Sequence, residues 1–272
     1  GQEGTYHSCY EAEVEAMAEQ LRSPPEYNAI IDGKRVPGRS FFEDVSPISS
    51  EIVLGRFGRG SQEDAGRAVD AAERAFQTWS RTDLKERLRI FARAADLMQK
   101  DLFRLATVLT YDNGKDREEA IAEVDEAIDF IRFYVKTMQD NHGFEEETLR
   151  PYEDERARSV LRPYGVWGVV CPFNFPLAIS CGMVTGAIIT GNTVVAKPAS
   201  PAPLSVFHLY DIYERAGLPP GVINVVTGSG GEVGDTMVNH PKISGVVFTG
   251  SKDVGYKLIR ESLTRFPRPV IA

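Results

Sequence analysis

Three cysteines are too few for a disulfide framework: Cys9, Cys171 and Cys181 leave one over under any pairing, and none has metal-ligand spacing. A reducing, cytoplasmic setting is therefore expected. Histidine is nearly as sparse. His7, His142, His208 and His240 form no His-x-x-x-His pair, and no Gly-x-Ser-x-Gly seats a serine nucleophile, which disfavours zinc sites and serine triads alike. Positive charge is in deficit too. With 31 Lys and Arg against 39 Asp and Glu the net charge is −8, so the basic footprint of a nucleic-acid binder is missing. No apolar run reaches the ~20 residues that span a bilayer, since the longest, Met183 to Val195, is broken by Gly186, Gly191 and Asn192. The opening residues carry acids where a secretory signal needs a basic patch and an apolar stretch. Gly1 in place of Met points to processing or to a residue left by cloning.

What is present is ordinary globular material, 42% hydrophobic and 26% charged over 272 residues, enough for one large α/β unit or two domains and consistent with a soluble protein. The amino-terminal third reads as a short β region followed by helices. AIIDGKRV (Ala29 to Val36) predicts a hairpin about Asp32-Gly33. Ser61, with Asp64 three residues on, predicts the start of a helix whose apolar positions Ala65, Val69, Ala72 and Phe76 recur at the helical period. Similar stripes run through Leu84, Leu88, Phe91, Ala95 and Met98, and through Ala120, Val124, Ala127, Ile131 and Val135. Between these, Gly114 reads as a helix stop and Lys115 as part of a solvated turn. From 143 to 165 the chain turns acidic and then alternating (RARSVLRPYG), which predicts an exposed β-hairpin arm whose free edge seeks a partner.

After Gly165 apolar runs at 166–171, 193–197, 222–227, 245–249 and 269–272 alternate with helical segments starting near Pro176, Pro203, Gly231 and Ser251. Strands without polar alternation, separated by helices, predict a parallel sheet covered on both faces, with its ligand at the strands' carboxyl ends. The domain boundaries expected are 1–142 (β/helical part), 143–165 (arm) and 166–272 (Rossmann-like core).

The unusual residues of this half fall at those ends. Gly228, Gly230 and Gly234 space as G-x-G-x-x-x-G, which suits either a cofactor loop or a tight turn. Thr249, Gly250 and Ser251 form a second strand-to-helix turn, able to hold a pyrophosphate or simply to cap a helix. Lys197 stands before a proline-rich stop, as a ribose or phosphate contact or as a snorkelling surface lysine. In CPFNFP, Asn174 could present its carboxamide to an oxyanion or close an Asx-type turn, and pattern alone favours the turn. Cys171 ends a buried run with no base beside it, which predicts a neutral thiol, as does the helical placement of Cys181.

Taken jointly, PFNFP, TGNTVVAKPAS, AGLPPGVINVVTGSGGEVG and FTGS resemble the NAD(P)-dependent aldehyde dehydrogenase superfamily from about Tyr27 onward. EAIDFIRFYVKTM (Glu126 to Met138), the arm with its PYEDE and FPLAISCGMVTGAIITGNTVVAKPA bring the resemblance nearest to the 1-pyrroline-5-carboxylate dehydrogenase branch. The resemblance implies a doubly wound Rossmann-like sheet and NAD or NADP as cofactor. The substrate implied is an aldehyde, L-glutamate 5-semialdehyde in proline degradation, and the assembly a homo-oligomer built through the arm. It also implies site roles. Asn174 would hold the oxyanion of a thiohemiacetal, and Lys197 the adenosine ribose. Gly228, Gly230 and Gly234 would flank the adenine side, Thr249, Gly250 and Ser251 the pyrophosphate, and Val254 would wall the adenine slot. Pro172, Phe173 and Ser200 join the cofactor contacts.

Two departures follow. Ser200 stands where many NAD-specific members carry a glutamate, which removes a repulsion against a 2′-phosphate and opens the site to NADP. RPVIA closes the chain before the place where the family has its general-base glutamate, with the nucleophilic cysteine later still. The expectation is the amino-terminal part of an aldehyde dehydrogenase, inactive alone. A stand-alone nucleotide-binding module or pseudoenzyme and a non-catalytic oligomerisation partner remain as alternatives.

Overall fold

A computed structural model describes residues 2–150, 152–264 and 267–272. The elements in chain order begin with α1 (Gln2–Gln20), β1 (Glu26–Tyr27), β2 (Ala29–Ile31), β3 (Lys34–Val36), β4 (Phe41–Val45) and β5 (Val53–Gly58). Next come α2 (Gln62–Trp79), α3 (Leu84–Lys100), α4 (Leu102–Asn113), α5 (Arg117–Asp140), β6 (Glu145–Glu147) and β7 (Arg158–Val160). The alternating half runs β8 (Val166–Val170), α6 (Ala178–Ile189), β9 (Thr193–Lys197), α7 (Leu204–Ala216), β10 (Ile223–Val225), α8 (Asp235–Val238), β11 (Ile243–Phe248), α9 (Lys252–Thr264) and β12 (Val270–Ile271).

The continuous apolar runs pair in parallel because both their faces are buried. β8, β9 and β10 lie side by side in sequence order, with Val166 opposite Thr193 and Val194 opposite Ile223. The chain then crosses back, and β11 pairs with the other side of β8 (Val169 opposite Val247), with β12 outside it. Helices α3 to α7 bury Phe91, Leu105, Val124, Val184 and Leu209 on one face of this sheet. On the other face α2, α8 and α9 bury Val69, Met237 and Leu258. The sheet is doubly wound, and β8 sits at its switch point.

Local signals set the edges. The β2–β3 hairpin turns at Asp32 (φ 55°) and Gly33 (φ 73°), both left-handed as a two-residue hairpin turn with right-handed strand twist requires, and β2 joins the sheet antiparallel to β10. Helix α2 starts in a complete capping box, Ser61 Oγ accepting from Asp64 N while Asp64 Oδ2 accepts from Ser61 N. In the 143–165 region β6 and β7 form a short antiparallel ribbon, Glu145 opposite Val160, with Leu149, Tyr152 and Leu161 exposed around it.

Two expectations need correction. The amino terminus opens with a 19-residue helix, not with the β region. Its sequence is polar almost throughout, and it buries little beyond Tyr10 and Met17, seven residues apart, so it carries no readable apolar stripe. It is held by its tertiary contact, the Tyr10 hydroxyl reaching Ala106 O and Thr110 Oγ1 of α4. Lys115 is the second. Gly114 does end α4 in the left-handed region (φ 78°), but the Lys115 side chain is only 9% exposed, because it meets Glu123 on the buried face of α5.

Candidate functional site at the carboxyl ends of the parallel strands

The loops leaving β8, β9, β10 and β11 all emerge at one edge of the sheet; they carry the site residues expected from the sequence, except Lys197, which ends β9 itself, and Val254, in the first turn of α9. The strand order reverses between β8 and β11, the place where doubly wound sheets take their ligands. The segments Cys171 to Pro176 and Thr249 to Ser251 leave the two strands there, and Thr249 N donates to Val170 O, the end of β8, at 3.4 Å.

Asn174 lies in the loop that leaves β8. It is exposed, and among the described residues no protein group bonds its carboxamide. The Asx-type turn that pattern favours is therefore not made. Its neighbours are fixed on both sides. Asn113 Nδ2 donates to Phe173 O at 2.6 Å, and Leu177 N and Ala178 N donate to Glu123 Oε1 at 2.8 and 3.1 Å. Lys115 Nζ lies 2.5 Å from Glu123 Oε2 and 3.5 Å from the centre of the Phe175 ring. Pro172 is buried beneath this loop, whereas Phe173 is 60% exposed. Burial pushes the Cys171 thiol up to about 11 and the Cys181 thiol up to about 12, so both are neutral at physiological pH.

Lys197 ends β9 with its side chain buried, not snorkelling to the surface. Its ammonium donates to Pro198 O at 3.2 Å and meets no carboxylate among the described residues, and burial lowers its pKa from the usual lysine value. A buried cation of this kind favours a hydroxyl-rich or anionic ligand. Gly234 lies directly against it, since a Cβ there would sit 3.6 Å from Lys197 Cδ. Gly228 has no room for a side chain at all: its Cβ would fall 2.5 Å from Val233 Cγ2. Gly230 and Gly231, by contrast, face open ground, with nothing within 4 Å of an added Cβ, and open a tight turn capped by Ser229 Oγ on Glu232 N. Ser200 is exposed just beyond Lys197. After β11 Gly250 is exposed, Ser251 Oγ accepts from Val254 N at 3.5 Å, and the Val254 side chain is 42% exposed at the start of α9.

Together these residues suit a dinucleotide: a buried cation that meets no carboxylate among the described residues, glycines that admit close approach, and two strand-to-helix turns. The aldehyde dehydrogenase family profile matches residues 35–271. The chain belongs to the aldehyde dehydrogenase family. It is 40% identical over 233 residues to 1-pyrroline-5-carboxylate dehydrogenase 1 of Halalkalibacterium halodurans, covering 86% of this chain and 45% of that one. Among solved structures it superimposes with a TM-score of 0.92 on the 1-pyrroline-5-carboxylate dehydrogenase from Thermus with bound NAD, at 33% identity over 97% of this chain and 52% of that one. An E. coli NADP-dependent enzyme gives a TM-score of 0.84 at 30% identity, over 90% of this chain and 50% of that one. This aldehyde dehydrogenase chain thus spans about half the length of the relatives it matches.

Sequence reasoning missed the residues beneath Asn174. A signal was present: Glu123 is an acid three residues after Ala120 and four before Ala127, on the apolar stripe of α5. An ionisable group on a buried face needs a partner, and Lys115 is that partner.

Proposed function

We propose that this chain supplies the cofactor-binding part and the oxyanion donor of an enzyme oxidising an aldehyde to a carboxylic acid with NAD or NADP, the aldehyde being L-glutamate 5-semialdehyde, the open form of 1-pyrroline-5-carboxylate. The observation that carries the reading is that one sheet edge holds both a carboxamide with no partner among the described residues, Asn174, and a buried ammonium that meets no carboxylate among them, Lys197. The choice of substrate is supported by the relatives, eight of which are 1-pyrroline-5-carboxylate dehydrogenases.

The chemistry divides as follows. A thiolate adds to the aldehyde carbon, and the carbonyl oxygen gains the charge. Asn174 donates its carboxamide N–H to that oxygen, which stabilises the charge without a proton transfer. The bound nicotinamide cofactor supplies an acceptor for the hydride, and water then releases the acid from the thioester. Lys197 and the turns at Gly228–Gly234 and Thr249–Ser251 hold the cofactor's adenosine and pyrophosphate, and Ser200 leaves room for a 2′-phosphate. Burial keeps the thiols of Cys171 and Cys181 protonated, so neither is the nucleophile in this reading, and the chain alone is expected to turn over no aldehyde.

The arm assembles copies of the protein: its Leu149 is 95% exposed and its Tyr152 67%, an apolar surface that association would cover. The free thiols suit the cytoplasm, where we place it. Titration calorimetry of the chain with NAD+ and NADP+ tests the reading. Saturable heat from at least one supports it, and no heat from either overturns it.

A further inference from the structure

We infer that Lys115, Glu123 and Asn113 are positioning residues for Asn174: together they clamp the backbone on both sides of the oxyanion donor and so fix where its carboxamide points. The inference rests on the oxyanion reading of Asn174 and goes beyond it.

The geometry is that of a brace. Helix α6 starts immediately after the Asn174 loop, yet Leu177 at its cap offers no side-chain oxygen, and apart from Asn174 itself residues 172–176 are prolines and phenylalanines. The orphan N–H groups of the first turn are satisfied instead from another helix, because both Leu177 N and Ala178 N donate to Glu123 Oε1. A carboxylate in this position also meets the positive end of the α6 dipole. The other oxygen of Glu123, fully buried, bonds Lys115, whose ammonium lies over the face of Phe175, the residue following Asn174. On the preceding side Asn113 bonds Phe173 O. Residues 173, 175, 177 and 178 are thus each tied to the segment 113–123, and residue 174 between them is left with its side chain free.

Burying two charges is weak evidence for stability, since a hydrophobic pair of the same volume usually serves as well. What an ionic pair adds here is direction: one carboxylate holds two N–H groups and a cation at once, and the cation holds a ring. An oxyanion donor must meet a developing charge within a few tenths of an ångström, and ~1 Å of misplacement can cost about 10²-fold in rate.

The test has two parts. In the 272-residue chain, amide hydrogen exchange of the Lys115→Met and Asn113→Ala variants should rise at residues 173–178 while β9 and β10 keep wild-type protection. In the full-length gene product, Lys115→Met should lower kcat roughly 10–100-fold with the KM for cofactor within about twofold. Combined with Asn174→Ala it should lower kcat no further than Asn174→Ala alone, because a brace has nothing left to position. Should Lys115→Met not fold, Asn113→Ala strands no buried charge and takes its place, with about a tenfold loss expected. A wild-type kcat in these variants beside a slow Asn174→Ala overturns the brace and leaves the oxyanion reading standing. Losses that multiply with that of Asn174→Ala also overturn it, since they assign the residues to general stability. A wild-type rate in Asn174→Ala overturns the reading beneath both.

Discussion

Replacing Asp44 with asparagine should make the protein more stable at alkaline pH and leave it nearly unchanged at acidic pH. Asp44 on β4 and Asp112 on α4 are 3% and 2% exposed. Asp112 Oδ2 accepts from Ser205 N and Ser205 Oγ, but Asp112 Oδ1 and Asp44 Oδ2 are buried with no donor. Two facing acceptors need a proton between them. Burial first, and the Asp112 carboxyl second, push Asp44 up to about 9, and burial pushes Asp112 up to about 6. Tyr27, the other titratable neighbour, is pushed up to about 12 and stays neutral throughout. The sign follows from proton counts. Above pH ~4 the unfolded chain has released the Asp44 proton while the folded chain keeps it until about pH 9, so the stability present at acid pH is lost as pH rises. One proton is worth about 1.4 kcal/mol per pH unit, which gives about 4 kcal/mol between pH 5 and 8 as an upper figure. The Asp44→Asn side chain keeps the shape, brings its own donor to Asp112 and removes that proton difference. Urea unfolding followed by circular dichroism at pH 5, 6.5 and 8 should show the variant gaining about 2–4 kcal/mol on the wild type across the series. Parallel curves for the two proteins would refute the shared proton.

Other consequences are nearer the site. Lys197→Met should weaken binding of both NAD+ and NADP+ about tenfold or more by calorimetry, and unchanged affinities would remove its role as a cofactor contact. Ser200→Glu should shift the ratio of NADP+ to NAD+ affinity about tenfold or more toward NAD+, because a carboxylate would meet the 2′-phosphate; an unchanged ratio places Ser200 away from that group. Alkylation of the native chain by iodoacetamide should label Cys9, which is half-buried, before Cys171 and Cys181, whose thiols burial keeps protonated, and mass spectrometry gives the order. Deleting the segment between β6 and β7 should reduce the particle mass seen by light scattering, and an unchanged mass would place assembly elsewhere.

The sheet was legible because its strands are continuous apolar runs: the pattern at 193–197 coincides with β9, and that at 166–171 with β8 to within a residue. Asp32-Gly33 and the Ser61–Asp64 box were legible because turn and cap chemistry is local. Asn174 was not legible from pattern, since an asparagine beside prolines reads as a turn; the role proposed for it entered through resemblance, and the structure adds that its carboxamide has no partner among the described residues. Lys115 was misread for a physical reason. In NGKD the three residues around Lys115 all have turn chemistry, and only the fold brings Glu123 and Phe175 to its side chain. Helix α1 was missed because Tyr10 and Met17, the two buried side chains among its described ones, leave no period to detect.

The central claim, that Asn174 holds the developing oxyanion at an edge whose other residues hold the cofactor, is tested most directly by Asn174→Ala in the full-length gene product. The expected result is a fall in kcat of roughly 10²–10³-fold with the dissociation constants for NAD+ and NADP+ unchanged. A variant that turns over L-glutamate 5-semialdehyde at the wild-type rate contradicts the account.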